Sequence, residues 1–232
     1  PFVCLAILFG ISATTSSSYF YSILQLLASA VKPVIYWPSK DEILANVPKC
    51  FKKFKATRVV LDCTEVAVQK CNCLKCRIKT YSHYKGMHTI KWLIGITPSG
   101  VISYVSAGYG GRTTDKTIVM KENLLAKCDP YDALMVDKGF LVEKECEENF
   151  IKLFRPPFLR KKAQITKQEA ELTADIARAR VHVERAIQRI KIYKIVNEKI
   201  GWYLVPHMDS IMIVVAALVN LSPPILADDK FE

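Results

Sequence analysis

Residues Ala133–Phe140 read ALMVDKGF. Ala133–Val136 is a short, unbroken apolar run, which suits a strand covered on both faces, as in sheets flanked by helices. The run meets Asp137, then Lys138, then Gly139. A carboxylate at the end of a buried strand is costly to desolvate unless something cationic meets it. Gly139 lets the chain turn away and leaves that place open. We therefore read Asp137 as a functional acid whose position is fixed by the strand before it.

Working outward, the elements on either side fit a layered domain. RVVLDCTEVAVQ (Arg58–Gln69) is rich in β-branched residues and predicts a strand carrying Asp62. Thr89–Thr97 and Val101–Ser106 predict two more strands, joined as a hairpin by Pro98-Ser99-Gly100. Asp115–Lys127 is weakly helical. Glu169–Val196 predicts a long helix, because Leu172, Ile176, Val183, Ile187 and Ile190 recur on one face. Glu184 follows Val183 and is expected to border that stripe. His207–Asn220 predicts a last buried helix, stopped by Ser222-Pro223-Pro224. Strands in the first half and helices in the second give an α/β class, a mixed sheet covered by helices.

The N-terminal stretch differs in character. A helix ending near Phe9-Gly10, a short turn and a Ser/Thr cap opening a second helix make a partial helix–turn–helix outline. An ordinary helical hairpin fits the same spacing. Lys32–Pro48 carries three prolines and reads as a connector. We divide the chain into residues 1–48, a partial helix–turn–helix with linker, and residues 49–232, the main domain.

Composition narrows the function classes. The 232 residues carry a formal charge of +11, from 33 Lys and Arg against 22 Asp and Glu. That excess favours a polyanionic partner, since each neutralised phosphate releases condensed counterions. Half of the residues are hydrophobic, so a sizeable core is expected. The 8 cysteines are scattered rather than framed for disulfides, and an intracellular, reducing compartment is expected. The apolar runs Phe2–Ile11 and Ile211–Leu221 are too short to span a bilayer, so no membrane partner is expected. The chain begins at Pro1, and we expect it to be part of a longer protein. Cys71, Cys73 and Cys76 form CNCLKC near His83 and His88, which raises a zinc site, but the paired spacing of strong zinc motifs is missing and free thiols are the plainer reading.

Three acids, Asp62, Asp137 and Glu184, stand out. Converging at neutral pH they would repel one another, and a divalent cation removes that objection because hard cations take oxygen ligands. Two ions about 4 Å apart would activate a water and stabilise the leaving oxygen of a phosphodiester. The alternative is that the three are unrelated, capping turns or pairing with Lys138 and Arg185. Spacing alone leaves both readings open.

The series VVLDCTEV, HTIKWLIGITPSGVISYVSAGYGGRTTDK, MVDKGF, RPPFLRKK and ARVHVERAIQRIK, from about Arg58 to Pro224, resembles the DDE superfamily endonuclease domain. In particular it is similar to Harbinger-type (PIF/Harbinger) transposases and proteins derived from them. The resemblance implies an RNase H-like fold, a mixed five-stranded sheet flanked by helices. It places the catalytic, metal-holding acids on Asp62, Asp137 and Glu184, with Mg2+ as cofactor and Mn2+ as its substitute. It also implies double-stranded DNA at transposon ends as substrate, a Myb-like DNA-binding partner, a homo-oligomer and a nuclear location. Asp115, in GGRTTDK, matches a further acid of the family, with a supporting rather than metal-holding role; Glu65 is similar. The upstream LAILFGISATT resembles the helix–turn–helix that precedes this domain in such proteins, whereas CNCLKC departs from the polar loop of relatives.

Basic residues flank these acids. Lys138, Arg160, Lys161, Lys162, Arg180, Arg185 and Arg189 are expected to touch phosphates and orient a scissile strand. Lys49, Lys52, Lys53, Lys55 and Arg58 crowd the approach to the first strand, although charge runs are often only solvated faces. Two rivals stand beside the nuclease: a domesticated, catalytically silent DNA-binding or protein-interaction module, and an enzyme acting on RNA–DNA hybrids.

Overall fold

In the computed structural model, which describes residues 2–157 and 166–223 apart from the side chain of His182, the chain opens with α1 (Phe2–Phe9) and α2 (Ala13–Val31). The two helices meet at 103°. Gly10, at φ +62°, supplies the left-handed residue that ends α1. Ser12 then caps α2 by accepting a hydrogen bond from the Thr15 N–H. Helix, turn and capped helix lie where the spacing put them. Neither helix carries a Lys or Arg, so this pair has no cation with which to hold a phosphate. Instead α2 sinks Leu24 and Ala28 into the main core.

The expected connector holds more structure than its prolines suggest. A 3-10 turn covers Lys32–Val34, and α3 (Lys40–Ala45) follows, capped by Ser39, whose side chain accepts from the Glu42 N–H. A Ser three residues before a Glu is a helix-start signal that the prolines obscured. A second 3-10 segment, Lys49–Phe54, buries Phe51 and Phe54 and delivers the chain to the sheet.

The central strand is β1 (Thr57–Ala67), followed by α4 (Leu74–Thr80), β2 (Tyr81–Ser82), β3 (Met87–Ile96), β4 (Ile102–Val105) and β5 (Tyr109–Gly110). Next come α5 (Asp115–Lys121), β6 (Ala133–Met135), α6 (Glu143–Glu148) and β7 (Lys152–Phe154). On one side of β1, β3 runs antiparallel and carries β2, β4 and β5 on its far edge. On the other side, β6 and then β7 run parallel. Five main strands in the order β4-β3-β1-β6-β7, with the two-residue β2 and β5 added at the edge, form the mixed, helix-flanked sheet of an RNase H-like fold.

Because successive side chains on a strand point to opposite faces, the sheet has two cores. Val60, Ile94, Ile96 and Met135 meet α2, α7 (Lys167–Ile192) and α9 (Met208–Asn220). Val59, Leu61, Leu93, Leu134 and Val136 meet α5 and the loop around Phe140 and Val142 that leads into α6. Strand β6 is buried throughout, as its unbroken apolar run required. The long helix stops short of the expected Val196: Tyr193 is extended, and the single turn α8 (Lys194–Asn197) follows. A 3-10 segment, Trp202–His207, continues into α9, and together they make an apolar helical stretch long enough by length and composition to cross a membrane. The apolar run that starts at Ile211 is only the C-terminal part of that stretch. In the fold that hydropathy serves the core, where Met208, Ile211, Met212, Val215 and Val219 are buried.

Candidate active site

The parallel pairing of β1 with β6 sets the site. Val60 lies opposite Met135, so two residues further on Asp62 comes level with Asp137, on the face that α7 covers. Strand β6 ends at Met135 while β1 runs on to Ala67, which leaves the flank beside Asp62 open. Asp137 begins a tight turn closed by the Phe140 N–H donating to its carbonyl at 3.1 Å. Gly139 is not a steric necessity there: a Cβ on it would meet nothing within 4 Å, and its φ is not left-handed.

Between the two acids lies Arg180. It sits in the buried stripe of α7 with Ile176, Ala179, Val183 and Ala186, and is only 9% exposed. Its Nη1 donates to Asp137 Oδ1 at 2.9 Å, and its Nη2 stands 3.8 Å from Asp62 Oδ2. The Nε of the same guanidinium is buried without a hydrogen-bond partner among the described residues. Asp62 Oδ1 accepts from the Cys63 N–H at 2.8 Å. Burial pushes the Asp62 carboxyl up to about 6, with Arg180 and the Cys63 N–H pulling against it and the charges of Asp137 and Asp115 adding to it.

Glu184 stands apart from this pair. Helix α7 runs along β1, since Asp175 meets Lys53 ahead of the strand, Arg180 meets Asp62 midway, and Lys191 donates to the Glu65 carbonyl further on. Glu184 therefore falls one helical turn beyond Arg180, about 6 Å along the axis. It is exposed rather than bordering the stripe, and no hydrogen bond or ion pair joins it to Asp62 or Asp137 among the described residues. No group of three or more His, Cys, Asp or Glu there is arranged to hold a metal.

Asp115 opens α5, whose cap is Thr114. Its Oδ1 lies 3.2 Å from Lys91 Nζ, which is also 3.4 Å from Glu65 Oε1 and donates to the Thr113 carbonyl at 3.1 Å. Thr89 Oγ1 donates to Glu65 Oε2 at 2.6 Å. Glu65 faces Lys91 across the β1–β3 ladder, so this cluster occupies the sheet face opposite Asp62. Cys63 lies between the two groups, and burial, followed by the Asp115 charge, pushes its thiol far above the usual range.

The basic residues divide. Arg160, Lys161 and Lys162 lie outside the described residues. Lys138 is exposed beside Asp137; Arg185 and Arg189 are half-buried, and Arg189 donates to the Pro223 carbonyl. Arg58 is not a surface cation: it is 6% exposed, 3.6 Å from Asp132 and over the Trp37 ring. Sequence reading missed a cavity of about 450 Å³ beside Gly139 and Asp115, lined also by Tyr84, Arg112 and Lys116. It also missed what Arg180 does, although an arginine at a core position of a helical stripe demands a buried acid. The eight cysteines are free, and His88 Nδ1 is engaged with Thr80 Oγ1 at 3.0 Å.

Carboxylates brought level by neighbouring parallel strands at an open flank are hard oxygen donors placed together, which is what a divalent cation takes. The family described as DDE superfamily endonuclease matches residues 61–220, well over half of the chain, and the chain belongs to that family. No curated protein and no solved structure matches it. Members of such a family work with divalent cations, and the donor set suits one. Asp62 and Asp137 are hard oxygen ligands that already share a single cationic group, and Mg2+ is commonly held by one or two carboxylates with water completing the shell.

Proposed function

We propose that this chain is a metal-dependent DNA endonuclease of the Harbinger transposase type, cutting phosphodiester bonds at transposon ends and joining the freed 3′ hydroxyl to target DNA. The single observation that carries the reading is the register that sets Asp62 level with Asp137 at the open flank of β1. Asp62 and Asp137 would hold the first divalent ion, Mg2+ or Mn2+, and Glu184 would join through its long side chain from one turn along α7. When bound, the metal supplies Lewis acidity and a water acidic enough to attack phosphorus. The chain supplies the rest. The Cys63 N–H fixes one oxygen of Asp62, and the other, which faces Arg180, would ligate the ion. Lys138, exposed next to Asp137, and Arg112 and Lys116, which line the cavity that reaches Gly139, would orient the scissile strand through its phosphates. Asp115, tied to Lys91, steadies the loop that presents Arg112. A nuclear location, a Myb-like partner that reads the DNA ends, and self-association complete the proposal. The cation-free α1–α2 pair leaves most phosphate contact to the catalytic domain.

A second reading, the silent DNA-binding module, is favoured by one feature: Arg180 already supplies a cation to the acid pair while Glu184 is exposed. Nicking of supercoiled plasmid carrying the element's ends, with Mg2+ or Mn2+, separates the two. Metal-dependent nicking that falls at least 100-fold in Asp137→Ala supports the enzyme. Absence of nicking by the wild-type chain supports the module.

A further inference from the structure

We propose that Arg180 is an internal counter-cation standing where the divalent ion must sit, so that metal binds only when the guanidinium withdraws. The proposal rests on the nuclease reading above and adds to it a reason for the free chain to be held inactive. Three observations point to it. First, Arg180 Nη1 and Nη2 approach Asp137 Oδ1 at 2.9 Å and Asp62 Oδ2 at 3.8 Å, and these are oxygens an ion bridging the pair would take. Asp62 Oδ1 is already used by the Cys63 N–H, so guanidinium and metal compete for Oδ2. Second, the hold is incomplete: only one of the two contacts is a hydrogen bond, and Nε is buried with no hydrogen-bond partner among the described residues. An under-satisfied guanidinium leaves more readily than one in a full bidentate fork. Third, the backbone of α7 is anchored by Ile176, Ala179, Val183 and Ala186, so the long side chain can swing without moving the helix.

The open flank gives the swing a destination. A phosphate arriving beside Asp137 offers the guanidinium a bidentate anion in place of the carboxylates. Withdrawal toward that phosphate frees both acids, so DNA and metal would load together and the chain alone would bind metal weakly.

The test measures Mn2+ binding without DNA, through the free-ion paramagnetic resonance signal, on the full chain and folded variants verified by circular dichroism. Arg180→Gln is expected to bind at least tenfold tighter than wild type, and Arg180→Lys to fall between them. Arg178→Gln removes the same charge two residues away from an exposed arginine paired with Asp175, and is expected to change affinity less than twofold. Adding Asp137→Asn to any of these should abolish the site. Equal or weaker binding by Arg180→Gln, with binding still dependent on Asp137, overturns the proposal while sparing the nuclease reading. So does an Arg178→Gln gain that matches that of Arg180→Gln, because the effect is then bulk charge. If no variant binds Mn2+ in an Asp137-dependent way, the nuclease reading fails with it.

Discussion

Asp62 couples the acidity of the medium to the fold. Its carboxyl is raised to about 6 by burial, against 3.8 for the ordinary group, so the folded chain holds that proton more tightly than the unfolded one. The stability it contributes is complete below the ordinary value and is lost as pH rises through about 6. In chelator, Asp62→Asn should flatten that decline, and melting temperatures from pH 4 to pH 7 check it; an unchanged slope removes Asp62 as its source. Metal binding follows the opposite course and should weaken below about pH 6, where Asp62 becomes protonated. At this scale the sequence was readable for what it contained, not for what met. Asp62 and Asp137 declared themselves as acids in apolar runs. Arg180 did not, because its role needs both the β1–β6 register and the rotation of α7, and neither is local.

The long periodic elements were the readable ones. Strands β1, β3, β4 and β6, and helices α7 and α9, fall close to where alternation and 3.6-residue spacing put them. The missed elements are short: α3, α4, α6 and β7 have 6, 7, 6 and 3 residues and β2 and β5 have 2 each, and partners distant in sequence hold them more than their own periodicity does. One tertiary tie shows how such partners act. Asp209, in the first turn of α9, accepts from Trp92 Nε1 and from the Gly108 N–H, both at 2.9 Å. The Trp92 side chain is fully buried, so removing its acceptor strands a donor in the core. Asp209→Ala should cost about 1–3 kcal/mol. The urea midpoint measures this, and a shift equivalent to under about 0.5 kcal/mol would show that water replaces the carboxylate.

Across the whole molecule the charge of +11 acts as a field, not as a set of bonds. Its use on DNA can be counted. Arg112→Gln combined with Lys116→Gln should weaken binding to duplex and reduce the slope of log affinity against log salt by about two contacts, roughly 1.8. Fluorescence anisotropy from 50 to 200 mM salt, a range over which such contacts register strongly, reads both quantities. An unchanged slope would move the strand's path away from that cavity. The sheet carries a different kind of constraint. Its β1–β6 pairing already absorbs a register shift between Thr57 and Val59, and from there the count to Asp62 is fixed. One inserted or deleted residue in that interval would throw the carboxylate through to the α5 side, away from Asp137. Substitutions among Val59, Val60 and Leu61 trade one hydrocarbon for another, whereas a codon gained or lost changes which side of a wall the chemistry is on. Tolerance of spelling and intolerance of length should therefore mark this segment in any library of insertions and deletions.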